Sequence, residues 1–373
     1  MKILHVIPNL LKGGAQRLVI DICNEISKKE SLKCKILVLS KSNNEFQYCS
    51  SALDITYCNL TFKLSVFKKN QIEISSYENF IEEFKPDVIH SHLYFSELVC
   101  HENPRPNIKY VSHLHSNRIE FKSKNLLNFF YKKTYFQLFE KRRLSNKYKK
   151  ATKKFISISS DTYSFFKSNF HKQSKNLVSL PNALNFQRFT TEKKPPSNNK
   201  INLITVGNLL AKKNQIFLLD VVSYLKQKKL AVTLKIIGEG KERVRITSKI
   251  QKLGLESNVT LYGQIDLVED ELKESDFYIH AATYEPFGLV ILEAMASGLP
   301  VISLNGRGNA DIIKDNINGY LIENQDPVKF GDVILDLFQN KEKYKSISKK
   351  AIETCANYDI KNYVPQLLKI YKR

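Results

Sequence analysis

Short β-rich runs alternate with helical patterns along this chain, and this alternation constrains its fold more than any other feature. The predicted strands are KILHVI, CKILVLS, DVIHSHL, YVSHLH, FISIS and LVSLP in the first half, and NLITVG, TLKIIG, VTLYG, FYIHAA, PVISL and GYLI in the second. Such alternation is typical of βαβ units, which build a mostly parallel sheet. We therefore expect an α/β protein with two Rossmann-like domains that face each other across a cleft.

A polar, Pro-containing stretch, TTEKKPPSNNK, separates the two halves and fits neither pattern. It predicts a linker at 191–200 between domains at 1–190 and 201–355. The final stretch, YDIKNYVPQLLKIYKR, predicts a helix at 356–373 that is interrupted near Pro365. A chain of 373 residues, 42% of them hydrophobic, is long enough to bury two such cores.

Cysteine spacing and the first residues bear on the cellular compartment. The six cysteines show no C-x-x-C pair and no metal-ligand spacing, which favours small buried side chains in a reducing compartment; they are Cys23, Cys34, Cys49, Cys58, Cys100 and Cys355. The opening MKILHVIPNLLKGG is too short and too interrupted in its apolar part to span a bilayer or act as a secretory signal. We therefore expect a cytoplasmic protein.

Two glutamates, Glu285 and Glu293, lie in the run EPFGLVILEAMASGLPVI. Glu285 precedes a Pro and a Gly, where a helix is not expected to have begun, whereas Glu293 lies inside an apolar helical run. The strand that follows indicates a parallel sheet, and ligands bind such sheets at the carboxyl ends of the strands. The alternative is that Glu285 caps the helix and Glu293 is a solvated residue on it.

The same run resembles the signature of the retaining nucleotide-sugar glycosyltransferases of family four, in which a loop glutamate precedes Phe-Gly and a helical glutamate follows. The resemblance implies a GT-B fold whose last helix crosses back to the N-terminal domain. It implies that Glu285 binds hydroxyls of the donor sugar and Glu293 those of the ribose, because carboxylates clamp diols well. Four neighbours are expected to line the donor site: Phe287, Gly288, Leu289 and Val290.

A glycine pair is a candidate phosphate site in the first half. Gly13 and Gly14 follow the first strand and precede a helical run, so backbone N–H groups and a positive helix end favour an anion there. A tight turn without a ligand has the same pattern. The resemblance places this turn against the donor diphosphate and Arg17 toward the cleft.

A basic loop opens the second half, in the run VGNLLAKKNQIFLLD. The family normally has Gly-Arg here and, six positions after the Gly, a Lys, both cations holding the donor phosphates. Gly207 and Lys213 match, but Asn208 stands where Arg is usual and carries no charge. Lys213, with Lys212, is therefore expected to stabilise the leaving diphosphate, unless the two are an ordinary exposed lysine pair.

Three further glycine segments carry weaker signals. Gly263 ends the strand VTLYG, where the family lets backbone groups contact the base. The G-x-G in IIGEGKERV is weak evidence and fits a simple turn. The run NGRGNADII resembles the family's Gly-Gly loop, except that Arg307 separates the glycines and Asp311 replaces the usual Glu, so Asp311 receives no direct role.

Four of the eight histidines occur as two H-x-H pairs at the ends of adjacent predicted strands: His90, His92, His113 and His115. Alternation puts each pair on one side of its strand, which leaves a metal site open as an interpretation. We favour another one, because the second pair matches the family's strand with a histidine beside the donor sugar. Neutral His115 would then hydrogen-bond the sugar or orient the acceptor, with His92 and His113 in the core or supporting it.

The charge of the chain is strongly basic, at +21, and it is concentrated in residues 121–154. Twelve Lys or Arg and a single acid, Glu140, are interleaved there with aromatic residues. Such a segment docks on anionic lipid headgroups, binds nucleic acid, or is simply a solvated helix with a buried face. The resemblance favours a membrane surface, since enzymes of this kind often act on lipid-linked glycans, and no nucleic-acid partner is expected.

The resemblance as a whole implies a metal-independent, retaining glycosyltransferase without a cofactor. It would move a hexose or N-acetylhexosamine from a nucleotide sugar, with UDP the expected nucleotide, to a glycan or lipid-linked acceptor in cell-surface polysaccharide synthesis. The catalytic group would comprise His115, Glu285 and Lys213, and the leaving diphosphate would accept the acceptor's proton. The alternatives are another GT-B sugar enzyme, such as a phosphorylase or epimerase, a basic nucleic-acid-binding protein, or an inactive glycan-binding relative.

Overall fold

The computed structural model describes residues 1–42, 45–46, 53–63, 71–117, 132–150, 153–191, 193–196 and 199–372. The chain forms two compact units, Met1–Pro181 together with Ile360–Arg373, and Asn182–Asp359. The units thus divide at 181 and 359, whereas the sequence placed the boundaries at 190 and 355. Residues 182–190 belong with the second unit because the N–H of Leu184 donates to the carbonyl of Tyr358 at 3.1 Å.

The first unit is built on a parallel sheet. Its strands are β1 (Lys2–Ile7), β2 (Lys33–Val38), β3 (Ile55–Tyr57), β4 (Phe62–Lys63), β5 (Gln71–Ile72), β6 (Val88–His92), β7 (Lys109–Leu114), β8 (Lys153–Ser157) and β9 (Leu177–Ser179). Its first helices are α1 (Gly14–Ser27), α2 (Ser75–Phe84), α3 (Leu93–Cys100), α4 (Lys132–Tyr148) and α5 (Ser160–Asn169). Within the described ranges the strand order is β3-β2-β1-β6-β7-β8-β9, with β4 and β5 forming a separate antiparallel pair.

The second unit repeats this plan. It contains α6 (Phe186–Phe189), β10 (Lys200–Val206), α7 (Gln215–Gln227), β11 (Ala231–Ile237), α8 (Arg243–Lys252), β12 (Val259–Gly263), α9 (Val268–Glu274), β13 (Phe277–His280), α10 (Leu289–Ala296), β14 (Val301–Leu304), β15 (Tyr320–Ile322), α11 (Pro327–Gln339) and α12 (Lys341–Ala356). Its described strands are parallel in the order β12-β11-β10-β13-β14-β15. This is the order of a dinucleotide-binding Rossmann sheet.

The last helix, α13 (Ile360–Lys372), belongs to the first unit, as expected for the predicted fold. It packs against α1, and the ammonium of Lys109 donates to the carbonyls of Tyr371 and Lys372 at 3.2 and 3.0 Å. The predicted interruption at Pro365 is wrong, because α13 continues through that residue. Burial of Tyr363, Val364 and Leu367 stabilises the helix enough to offset the missing N–H of the proline.

Candidate functional site

Two loops meet beyond the sheet of the second unit, at the point where its strand order reverses. One loop follows β10 and the other follows β13, and the N–H of Thr283 donates to the carbonyl of Lys212 at 2.9 Å between them. The first loop runs from Gly207 into a short 3₁₀ turn at Ala211–Lys213. The crevice at such a reversal, outside the carboxyl ends of the strands, is where open α/β sheets bind ligands.

A buried charge cluster occupies this crevice. The ammonium of Lys213 lies 2.5 Å from a carboxylate oxygen of Glu285, and Nε2 of His280 lies 3.2 Å from the same oxygen. Burial alone would raise the pKa of Glu285, but the charge of Lys213 and the contact with His280 outweigh it and hold that pKa well below its usual range. Burial lowers the pKa of His280 despite the adjacent carboxylate. The cluster therefore holds an ionised carboxylate, an ammonium and a neutral imidazole.

The NGRG loop after β14 fixes the backbone of Glu285. The N–H of Glu285 donates to the carbonyl of Gly306 at 2.8 Å, and the N–H of Gly308 donates to the carbonyl of Glu285 at 3.0 Å. A Cβ on Gly308 would lie 2.0 Å from the carbonyl oxygen of Pro286, so the close approach requires glycine. Buried Asn309 accepts from the N–H of Gly306 at 2.9 Å and holds the loop in turn.

The G-x-G of the run IIGEG serves the neighbouring loop. A Cβ on Gly238 would lie 2.1 Å from the carbonyl oxygen of Gly207, and one on Gly240 would lie 2.3 Å from that of Leu209. Both glycines also have positive φ angles, +139° and +156°. The two glycines therefore let the strand-end loops pack backbone to backbone and so place the turn that carries Lys213.

The second predicted carboxylate, Glu293, lies in the fifth position of α10, which begins after Gly288 in a left-handed conformation with φ +104°. Glu285 is in the preceding loop, so the predicted loop and helix placement of the two acids is confirmed. Burial raises the pKa of Tyr278, and the charges of Glu285 and Glu293 add to the rise. The charges of both acids thus affect one buried tyrosine, the second residue of β13.

The other predicted donor residues of this unit lie around the same loops. Phe287 is buried and packs edge-on against Tyr358, which anchors the loop before α10. Leu289 is buried and Val290 is half-buried, while Asn208 and Lys212 are exposed. Gly263 ends β12 with φ +73°, and its carbonyl accepts from the N–H of Gly238 at 2.8 Å. Their contacts with a donor stay predictions.

In the first unit, the predicted phosphate turn lies between β1 and α1. Gly13 is the extended residue that precedes α1, Gly14 is the first residue of the helix, and the first turn contains no acid that would repel an anion. A Cβ on Gly13 would meet Oε1 of Gln16 at 2.8 Å. The guanidinium of Arg17 lies over the ring of Phe46, 4.2 Å from its centroid.

The four predicted histidines lie together, as the adjacent strands require. Ring centroids are 4.2 Å apart within His90–His92 and within His113–His115. His115 is half-buried and the other three are buried. Burial lowers the pKa of His115 to about 3. Ring nitrogens of His92, His113 and His115 come within 4.8 Å of one another, close enough for one metal ion, but both nitrogens of His92 already contact other histidines at 2.9 and 3.0 Å.

Sequence reasoning missed two residues of the site, His280 and Asn309. His280 lies inside the predicted strand FYIHAA, five residues before Glu285, a signal like the one that led to His115. Asn309 lies in the run NGRGN, but its amide becomes informative only once Gly306 and Glu285 are known to be hydrogen-bonded. The expected burial is found for Cys23, Cys100 and Cys355, which are free thiols, but not for Cys34 and Cys58, which are half-buried; Cys49 lies outside the described residues.

Of the basic segment at 121–154, the structure describes 132–150 and 153–154. Helix α4 carries the exposed Arg142, and the exposed Lys149 and Lys150 follow directly. Lys147 is buried instead and donates to the carbonyl of Leu98 at 2.7 Å. Over the described ranges, no helix combines the length and apolarity that a membrane crossing demands.

Both halves of the chain match family models. Residues 12–188 match Glycosyltransferase Family 4, and residues 186–354 match Glycosyl transferases group 1. Together with the paired Rossmann sheets, these matches place the chain in the family-four glycosyltransferases of GT-B fold.

Relatives and solved structures agree with that assignment. The chain is 27% identical over 166 residues to the poly(glycerol-phosphate) alpha-glucosyltransferase of Bacillus subtilis, covering 44% of this chain and 25% of the relative. It is 33% identical over 149 residues to the poly(ribitol-phosphate) alpha-N-acetylglucosaminyltransferase of Staphylococcus aureus, covering 40% and 30%. The chain thus spans less than a third of either relative's length.

Similarity to solved structures extends over both units. The structure of HepE from Anabaena in complex with UDP and glucose has a TM-score of 0.78 at 18% identity, covering 100% of this chain and 99% of HepE. WaaG, a glycosyltransferase involved in lipopolysaccharide biosynthesis, has a TM-score of 0.74 at 16% identity, covering 99% of each chain. At these identities the similarity establishes the fold alone.

Proposed function

We propose that this protein transfers a hexose or N-acetylhexosamine from a nucleotide sugar, with UDP as the nucleotide, to a glycan or lipid-linked acceptor of the bacterial cell surface, and that the anomeric configuration is retained. One observation carries the proposal: the buried Lys213–Glu285 pair at the strand reversal of a family-four fold. The names of the relatives, which act on poly(glycerol-phosphate) and poly(ribitol-phosphate), support a surface-polymer acceptor.

Each member of the pair has a separate task. Lys213 supplies positive charge to the diphosphate as it departs, where preorganised charge lowers the barrier most. Ionised Glu285 accepts hydrogen bonds from hydroxyls of the donor sugar. Because its pKa lies well below the usual range, Glu285 carries no proton to give to a leaving group, which argues against the general-acid role that hydrolytic glycosidases require.

In this proposal Glu293 binds the ribose hydroxyls. The first unit contributes to donor and acceptor binding through Gly13, Gly14, Arg17 and His115. No cofactor or metal enters this scheme, since the ammonium of Lys213 and the helix ends neutralise the diphosphate. The leaving diphosphate itself takes the proton of the acceptor hydroxyl.

The neighbouring lysines offer a matched test of the proposal. Lys213 is half-buried against Glu285, whereas exposed Lys212 lies over the ring of Tyr284, 5.9 Å from its centroid. Lys213→Met should lower UDP release from UDP-sugars in the presence of acceptor about 100-fold or more. Lys212→Met should lower it by no more than about tenfold, because water screens the exposed ammonium of Lys212. Equal effects of the two changes would count against the proposal.

A ligand panel identifies the donor. Thermal unfolding is measured with UDP, GDP, CDP and their sugars, because a ligand present at a hundred times its Kd adds about 2.7 kcal/mol to stability. UDP and one UDP-sugar should stabilise most. Stabilisation by no nucleotide, together with salt-sensitive affinity for RNA or DNA, would overturn the proposal.

Helix α4 and the lysines after it are the proposed membrane-binding face. Lys141, Arg142 and Lys149 line an open groove of about 410 Å³ together with Ser145, Asn146 and Asn169. Such a groove has the charge to hold phosphate headgroups. The protein would therefore act as a peripheral protein on the cytoplasmic face of the membrane, where lipid-linked acceptors are found.

A further inference from the structure

A continuous chain of hydrogen bonds links four histidines to a tyrosine of α13 within the first unit. Nε2 of His115 lies 3.0 Å from Nδ1 of His92, whose Nε2 lies 2.9 Å from Nδ1 of His5. Nε2 of His5 lies 3.5 Å from the hydroxyl of Tyr371, and that hydroxyl lies 2.7 Å from Nδ1 of His90. The chain starts at half-buried His115 and ends in the core.

Neutral imidazoles at His90, His92 and His115 make such a chain directional. Burial holds the pKa of His90 and His92 well below the usual range, as it does that of His115. A neutral imidazole has one N–H and one lone pair, so each ring donates on one side and accepts on the other. The tautomer of any member therefore dictates the tautomers of the rest.

The two contacts of Tyr371 set the direction. A hydroxyl has one proton to donate, and the nearer ring nitrogen, Nδ1 of His90 at 2.7 Å, receives it in preference to Nε2 of His5 at 3.5 Å. His5 then donates from Nε2 to the phenol oxygen and accepts at Nδ1 from His92. By the same rule His92 accepts at Nδ1 from His115. Every member is thus the Nε2–H tautomer.

We propose that Tyr371 is a positioning residue, which holds His115 through this chain in the tautomer whose Nδ1 accepts a hydrogen bond from a substrate hydroxyl. The identity of the molecule that carries this hydroxyl, a sugar donor or acceptor, rests on the proposed function. The chain also accounts for the clustering of these ring nitrogens without a metal ion, because both nitrogens of His92 are hydrogen-bonded to neighbouring histidines.

Two phenylalanine substitutions in α13 test the role of the hydroxyl. Tyr371→Phe removes the donor to His90. Tyr363→Phe is the matched control, because Tyr363 is a buried tyrosine of the same helix whose hydroxyl makes no hydrogen bond within the described residues. We expect Tyr371→Phe to lower kcat about five- to tenfold with the donor KM unchanged, as befits the loss of one buried hydrogen bond, and the control to match wild type.

In a second variant we expect the hydrogen bonds of the chain to reverse their direction rather than to be lost. His90→Leu removes the acceptor of the Tyr371 hydroxyl, which then donates to Nε2 of His5 and turns every bond of the chain around. Nitrogen-15 spectra of histidine-labelled protein should therefore show His115 change from the Nε2–H to the Nδ1–H tautomer. A merely structural role of Tyr371 gives no such change.

The spectra keep this inference separate from the proposed function. If the wild-type protein transfers no sugar but has the tautomers stated above, the proposed function and the hydrogen bond from a substrate hydroxyl to His115 are refuted. The tautomer order set by Tyr371 is then still supported. The inference that Tyr371 sets the tautomer of His115 would be overturned by mixed tautomers of His92 and His115 in the wild type, or by identical spectra of the wild type and His90→Leu. One equivalent of tightly bound zinc in the purified protein would also overturn it, since the metal would occupy the same nitrogens.

Discussion

Lys213 and Glu285 are 72 residues apart in the chain, yet their charged atoms lie 2.5 Å apart at the ends of β10 and β13. The side chain of Glu285 is 8% exposed and that of Lys213 is 19% exposed, so this ion pair is largely shielded from water. Breaking a shielded pair by removing one partner costs far more than breaking a surface pair, because the remaining charge stays buried. The pair therefore links stability to function in this protein.

Glu285→Gln should destabilise the protein by about 3 kcal/mol at pH 7, measured by urea unfolding, since it leaves Lys213 without its counter-ion. The pKa of Glu285 is depressed by folding, so its contribution is fully present above the unfolded value of about 4.3 and decreases as pH falls below it. The difference in the free energy of unfolding between wild type and variant should hence be constant from pH 7 to 5 and smaller at pH 4. A gap that widens on acidification would contradict this assignment.

Glu293→Ala should weaken the binding of UDP and of UDP-sugars alike, by about 10- to 100-fold, because charge-assisted hydrogen bonds to the ribose are lost. Glu285→Gln should spare bare UDP and impair turnover. Calorimetric titration of both variants with UDP measures this difference, with exposed Glu256→Ala as the control. Normal UDP affinity of the Glu293 variant would remove the ribose assignment.

Gly308→Ala should displace the loop that carries Glu285, since the added methyl would lie 2.0 Å from the carbonyl oxygen of Pro286. We expect a loss of about 1–3 kcal/mol and a reduced turnover per folded molecule. Gly254→Ala is the comparison: its methyl meets no atom within 4 Å, although its φ of +61° is strained. It should lower stability without altering turnover, and equal turnover in both variants would contradict the role given to the NGRG loop.

Reversing the charge of Arg142, Lys149 and Lys150 to Glu should reduce co-sedimentation with vesicles rich in anionic lipid by at least about tenfold, because each cation near such a surface contributes about 1 kcal/mol. The same reversal at the exposed Lys228, Lys229 and Lys252 of the second unit is the control for net charge. Binding should also fall as salt is raised. Equal losses in the two triple variants would indicate a general charge effect rather than a membrane-binding face.

Most of the fold was predictable because the buried strands are short apolar runs with clear ends. Each of the twelve predicted strands is confirmed, from KILHVI at β1 to GYLI at β15. The short strands β3, β4 and β5 were missed, since their sequences ITY, FK and QI do not form apolar runs, unlike LVSLP and GYLI at the similarly short β9 and β15. The predicted interruption at Pro365 was wrong because proline usually breaks a helix interior, whereas burial of one face of α13 outweighs that local preference.

The site was predictable in its residues and less so in their partners. Glu285 and Lys213 were found one by one, yet their pairing depends on which strands lie beside each other, and spacing does not encode that. The same holds for the glycines: Gly238 was predicted in a simple turn and Gly308 in a Gly-Gly loop, whereas the structure makes them points of close backbone approach. Chains of contacts such as His115–His92–His5 need a register between strands before they can be seen.

Helix α13 is the last segment of the first unit to leave the ribosome, and the whole of Asn182–Asp359 is made before it. Until then the hydroxyl of Tyr371 and the apolar side of the helix are missing from a sheet face that holds His5 and His90. A nascent first unit consequently remains open on that side until every residue of the second unit has been synthesised. The earlier part of the chain therefore cannot complete its core before the later part has been made.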